Sequence, residues 1–313
     1  ALNSAEKSLQ QLTRENSTKE QDIARLNKAL SALRGEPAPA RATAPAAPAG
    51  ESPSLRLARS AGTPAVEDSD AVNLAADVGL YKSLLEEVPE ILKKIRRCLQ
   101  YFVRHPDDLN LLHELVRHTE SICEKTDMPE FEAFHRLSTA LGALMRDLYA
   151  RPDQVNPPLL RTVCQSFDFL GTLFEEPNRS RTGDLASAKV LAVDDDAGIL
   201  DALGAALEMV DLKMDGVDNS RHALEVLARR NCDLIFLDVG LPEMTGIELC
   251  EQIRQLPNHA KTPIVFLTGL ATIENRVQST LKGANDFICK PFNLMELDVK
   301  ALSWLLKKRL DML

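Results

Sequence analysis

Residues 234–246 read LIFLDVGLPEMTG. Four apolar residues run without polar alternation straight into Asp238, as in a strand buried on both faces. Glycine and proline follow at once and break the pattern. Outward from this stretch, VLAV at 190–193, PIVFLT at 263–268 and DFIC at 286–289 have the same character. Amphipathic helical stretches separate them. Short buried strands alternating with helices predict βαβ units, and hence a parallel sheet with right-handed crossovers. The expected fold over 188–313 is an α/β doubly wound, five-stranded parallel sheet.

Sites in such sheets form beyond the carboxyl ends of the strands. The first strand runs into Asp194, Asp195 and Asp196, the third ends on Asp238, the fourth on Thr268, and the fifth on Lys290 followed by Pro291. Acids, a hydroxyl and an amine are thereby predicted to meet at one edge. Carboxylates packed together repel, and they call for a hard divalent cation bound through oxygen. Mg²⁺ takes only one or two carboxylates and keeps room for a phosphate oxygen. Asp238 is then the nucleophile toward phosphorus. Lys290 neutralises charge on the transferring group, and Thr268 hydrogen-bonds a phosphoryl oxygen.

With these residues in place the segment resembles the receiver domain of two-component response regulators, including the single-domain chemotaxis type. VDDD at 193–196, LDVGLPEMTG at 237–246, LTG at 267–269 and KPF at 290–292 stand in that family's order. The resemblance covers about two fifths of the chain and implies a flavodoxin-like receiver that accepts a phosphoryl group on Asp238. It further implies that Asp194 and Asp195, with Asp238 and the Gly240 carbonyl, hold Mg²⁺, and that the Lys290–Pro291 bond is cis. Thr268 and Phe287 would form a switch acting on the face of the fourth receiver helix, fifth strand and fifth helix; plain core is the other reading of Phe287. Asp196 is expected to cap the first receiver helix. Gly240 and Leu270, two residues beyond Asp238 and Thr268, cannot hold a water for attack on the acyl phosphate, which predicts slow loss of the phosphate.

Upstream, residues 1–34 keep a heptad with Leu2, Leu9, Asn16, Ile23 and Leu30 at a, and Ala5, Leu12, Lys19, Leu26 and Leu33 at d. This predicts a coiled coil making a parallel homodimer, with a solvated single helix as the alternative. Residues 35–70 are rich in Pro and Ala and read as a disordered linker. Residues 71–176 repeat apolar positions at helical steps, with Pro106, Pro129 and Pro157–Pro158 at the breaks, which predicts a four-helix antiparallel bundle. A polar joint at 177–187 leads into the receiver.

LVRHTES at 115–121 resembles the opening of a histidine phosphotransfer domain, with His118 as the possible phosphohistidine. The family's lysine and small residue are replaced by Ser121 and Ile122, so a phosphohistidine would lack its cation and the isoleucine would crowd the approach of a partner receiver. That favours a histidine on a bundle used for binding or dimerisation. His105, His113 and His135 carry no constellation.

Net charge is −9 with 27% charged and 44% apolar residues. A negative charge without a recognition-helix module argues against nucleic acid, and no apolar run is long enough for a membrane span. Six cysteines without CxxC spacing read as reduced residues of a cytoplasmic protein. With the last receiver helix ending the sequence, the expectation is a non-enzymatic regulator, phosphorylated by a histidine kinase and signalling through protein contacts. The alternatives are a relay between His118 and Asp238, or a scaffold or fragment of a larger sensor kinase, which the opening Ala leaves room for.

Overall fold

The computed structural model describes residues 69–176, 185–269 and 283–310. The expected coiled coil, nearly all of the linker, and Leu270 with the stretch to 282, where the fourth receiver helix was expected, lie outside the described residues.

Among the described residues four helices come first: α1 (Ser69–Phe102), α2 (Leu109–Lys125), α3 (Glu132–Ala150) and α4 (Pro157–Glu175). Local chemistry sets their starts. The Asp108 carboxylate accepts from the Asn110 and Leu111 N–H groups at the head of α2. The Asn156 amide oxygen accepts from Leu159 N–H at the head of α4, where Pro157 and Pro158 occupy positions that need no donor. Pro129 opens a short 3₁₀ turn. Pro89, by contrast, lies inside α1. Leu112, Leu115, Ile122, Phe134, Leu141 and Leu170 are fully buried between the helices.

The second part alternates: β1 (Lys189–Val193), α5 (Ala197–Glu208), β2 (Lys213–Val217), α6 (Ser220–Arg229), β3 (Leu234–Asp238), α7 (Gly246–Gln255), β4 (Ile264–Gly269), β5 (Asp286–Lys290) and α8 (Leu294–Arg309). All strand pairs are parallel, in the order β2-β1-β3-β4-β5. The four apolar runs noted in the sequence are the buried strands. β2 is a half-exposed edge strand.

The two parts share one hydrophobic core. Val190, Ala192, Phe236, Leu267 and Ile288 on one face of the sheet are continuous with the bundle interior, while Leu191, Val193, Leu237 and Phe266 on the other face pack with α6 and α7. Between bundle and sheet lies α8. It touches α3, α4 and α5 as well as the sheet. A helix covered on several sides cannot keep a polar stripe in water. Glu296, Asp298, Lys300 and Ser303 are accordingly all buried in it.

Candidate functional site

The sheet register brings the acids together. Val193 pairs with Leu237 and Asp238 with Leu267, while Thr268 pairs with Cys289 and Gly269 with Lys290. Asp194, Asp238, Thr268 and Lys290 therefore emerge side by side at the carboxyl ends of adjacent strands. The Lys290 Nζ donates to Asp194 Oδ2 at 2.6 Å and to Asp238 Oδ1 at 2.7 Å. The second oxygen of Asp238 accepts from Gly240 N–H at 2.7 Å. Asp194 Oδ1 accepts from Asp196 N–H at 3.1 Å.

Asp194, Asp238 and Thr268 are buried, and Asp195 is exposed. Burial raises the Asp194 carboxyl above the usual range, against the pull of Lys290 and the Asp196 N–H, and Asp238 adds to the rise. Burial works against the Lys290 charge too, but its bonds to Asp194 and Asp238 hold the ammonium above the ordinary value. Two buried carboxylates thus share one ammonium, and this oxygen-rich set suits a further hard cation. Among the described residues no three acidic side chains form a ready cage, and Mg²⁺, which retains several waters, does not need one.

The loop after β3 is shaped by Gly246, the first residue of α7. Its N–H donates to the Val239 carbonyl at 3.1 Å. Thr245 and Glu248 form a reciprocal capping box that starts α7. Asp196 caps α5, accepting from Gly198 and Ile199 N–H, and the Lys290–Pro291 bond is cis, both as expected. Phe287 is buried on the α6–α7 side of the sheet. The Thr268 hydroxyl donates to the Gly269 carbonyl at a long 3.4 Å, which leaves it weakly held.

Residues 190–302 match the profile of the response regulator receiver domain. That segment is a receiver domain. The receiver here is 41% identical over 116 residues to the transcriptional regulatory protein ResD of Bacillus subtilis (strain 168), covering 36% of this chain and 47% of ResD. It is 37% identical over 108 residues to the phosphate regulon transcriptional regulatory protein PhoB of Pseudomonas aeruginosa, covering 34% and 47%. Among solved structures it is similar to the chemotaxis response regulator CheY4 of Vibrio cholerae, at 32% identity and a TM-score of 0.35, covering 38% of this chain and 98% of CheY4. The chain spans about half the length of the curated relatives it matches. Receiver domains bind Mg²⁺ and take their phosphoryl group from histidine kinases.

His118 lies on α2, half-buried and far in sequence from the receiver. Ile122, expected to crowd the approach to it, is instead fully buried in the bundle core. Burial, then the positive charges of Arg117 and Lys94, lower the His118 pKa. All six cysteines are free, and no helix among the described residues is long and apolar enough to cross a membrane.

Several contacts carried no local signal in the sequence. The Arg161 guanidinium of α4 lies 5.2 Å from the centre of the Phe287 ring. Asn293 both caps α8 and donates to Asp147 and Gln154 of the bundle. His259 is wholly buried, with its ring nitrogens against Thr262 and the Leu227 and Arg230 carbonyls. No motif announced these contacts, because all but the one from His259 to Thr262 join elements far apart in the chain.

Proposed function

We propose that the chain is a response regulator that accepts a phosphoryl group on Asp238 from a histidine kinase and signals through protein contacts. The observation that carries this is the convergence on Lys290: its Nζ lies 2.6 Å from Asp194 and 2.7 Å from Asp238. An Asp238 oxygen attacks phosphorus, a P–O bond forms, and the bond from phosphorus to the donor breaks with its electron pair leaving on the donor. Mg²⁺, when bound, offsets the charge that builds on the phosphoryl oxygens. Asp194, Asp195, Asp238 and the Gly240 carbonyl are the groups assigned to hold it. Lys290 moves its charge from the carboxylates to the phosphoryl group, and Thr268 supplies a hydroxyl to it. Thr268 and Phe287 form the switch that reports the event. Gly240 offers no side chain to position water, so the acyl phosphate clears slowly.

The domain plan assigned to the chain is a coiled coil over 1–34 making a parallel dimer, a linker over 35–70, a bundle over 71–176, a joint over 177–187 and the receiver over 188–313. A cytoplasmic setting and the absence of a nucleic-acid partner belong to the same reading.

Acetyl phosphate with Mg²⁺ tests the central claim. The parent should gain one phosphoryl mass, and Asp238→Asn should gain none. An unmodified parent would defeat the proposal.

A second reading makes His118 a relay residue. In its favour, Arg117 and Lys94 bring positive charge near the half-buried His118. Incubating the phosphorylated receiver with a His118→Gln variant separates the two readings. Loss of acid-labile phosphate from the bundle in that variant supports the relay, and its absence in the parent ends it.

A further inference from the structure

The bundle holds the receiver at two points that bracket Lys290. Three residues before it, Phe287 lies under the Arg161 guanidinium, 5.2 Å from ring centre. Three residues after it, the Asn293 amide donates to Asp147 at 2.6 Å and to Gln154 at 2.9 Å. The contact continues along α8. Thr162 of α4 donates to Glu296 at 2.5 Å, the Ser166 and Ser303 hydroxyls meet at 3.4 Å, and the Lys307 ammonium lies 5.0 Å from the Phe169 ring. The start of β5 is in turn tied to α8, since the Lys300 ammonium donates to Asp286 at 2.6 Å and the Trp304 indole N–H donates to the same oxygen at 3.3 Å. β5, its following loop and α8 thus form one body with α3 and α4 fastened along it.

In that docked arrangement Lys290 spans Asp194 and Asp238 and occupies both carboxylates. Phosphoryl transfer requires the ammonium to leave this position, because its charge is needed on the phosphoryl oxygens. Lys290 is the last residue of β5, so its displacement pulls on the strand and loop that the bundle grips. We propose that the bundle is an intrachain brake on the receiver: docked through Arg161, Asp147 and Gln154, it holds Lys290 on the two carboxylates and slows phosphorylation of Asp238. This rests on the acceptor role proposed above and adds the regulator of that site. The same docking makes the phosphorylated state less favourable at equilibrium, and an equilibrium coupling of this kind is reciprocal. Phosphorylation therefore loosens the bundle from β5 and α8.

Initial rates of acetyl-phosphate labelling with Mg²⁺, read by intact mass on the full chain, test the brake. Arg161 is exposed, so Arg161→Ala removes its contact without opening the core; Gln154→Ala weakens the other grip by deleting one of the two acceptors of Asn293. Both variants should label about fivefold faster or more, the low end of common allosteric couplings. Arg161→Lys keeps a cation over the ring and should label near the parent rate. Beryllofluoride with Mg²⁺ should speed hydrogen exchange over 147–175 in the parent. Equal or slower labelling of both alanine variants, or unchanged exchange with beryllofluoride bound, overturns the brake while leaving the acceptor role intact. Failure of the parent and every variant to take any label overturns both.

Discussion

Gly246 faces the main chain of Asp238 so closely that a Cβ added to it would stand 2.0 Å from the Asp238 carbonyl oxygen and 2.8 Å from the carbonyl carbon. The glycine at the head of α7 is thus what lets the β3 end pass beneath the helix. Both colliding atoms are backbone, which cannot turn aside as a flexible side chain does. Gly246→Ala should cost about 3 kcal/mol, the upper part of the range for overpacking, read as a lower midpoint in urea denaturation. Acetyl-phosphate labelling should also slow, because relief of the clash moves Asp238. A variant as stable as the parent would show that the loop yields freely.

Lys290→Met should move two properties in opposite directions. Removing the ammonium from between Asp194 and Asp238 deletes a competing positive charge, so Mg²⁺ should bind more tightly in calorimetric titration. Labelling should nevertheless fall by about 10²-fold or more, the usual cost of losing one electrostatic stabiliser of a developing charge. Weaker Mg²⁺ binding would mean that Lys290 mainly holds the carboxylates in place.

Asp298 gives a pH dependence with a definite sign. Burial raises its carboxyl from 3.8 to about 7, and its Oδ1 is buried without a hydrogen-bond partner. Below about pH 4 both folded and unfolded forms are protonated and nothing is lost. Between pH 4 and 7 the unfolded carboxyl ionises first, so stability falls as pH rises, and the full cost remains above pH 7. A separation of this size is worth about 4 kcal/mol at most. Asp298→Asn should therefore stabilise the protein at pH 8, change little at pH 4, and flatten the profile between. Melting curves of parent and variant across that range check it; a parallel offset would contradict it.

The Lys300–Asp286 pair is buried on both sides, with side chains 4% and 6% exposed. Breaking a buried pair from one side leaves a stranded charge. Lys300→Met should cost about 3–5 kcal/mol. The double change Lys300→Met with Asp286→Asn should recover part of that, because no charge then stays buried alone. A single variant within about 1 kcal/mol of the parent would mean that the Trp304 and Phe287 N–H groups suffice for Asp286.

Four of the five strands were legible as uninterrupted apolar runs, because strands buried on both faces cannot alternate. β2, KMDGV, was not, since three of its five residues are exposed at the sheet edge and leave no such run. The acceptor, lysine, hydroxyl and acids could be read in order because each stands at a strand end, and a parallel sheet aligns those ends. The reading of Ile122 beside His118 went astray for a related reason. Helical spacing alone did not show which face of α2 the bundle would bury.

The linear order of residues thus determined the parallel sheet, the helical region before it, and which side chains stand at the carboxyl edge. These follow from local periodicity and strand ends, which depend on residues a few positions apart. Only the tertiary structure decided that Lys290 bridges Asp194 and Asp238, that α8 is covered by both sheet and bundle, and that Arg161 and Asn293 join the bundle to the strand bearing Lys290. Periodicity records that a face is buried but not what buries it. The polar residues of α8 look in sequence like a solvated stripe, and only the helices packed over them made them interior.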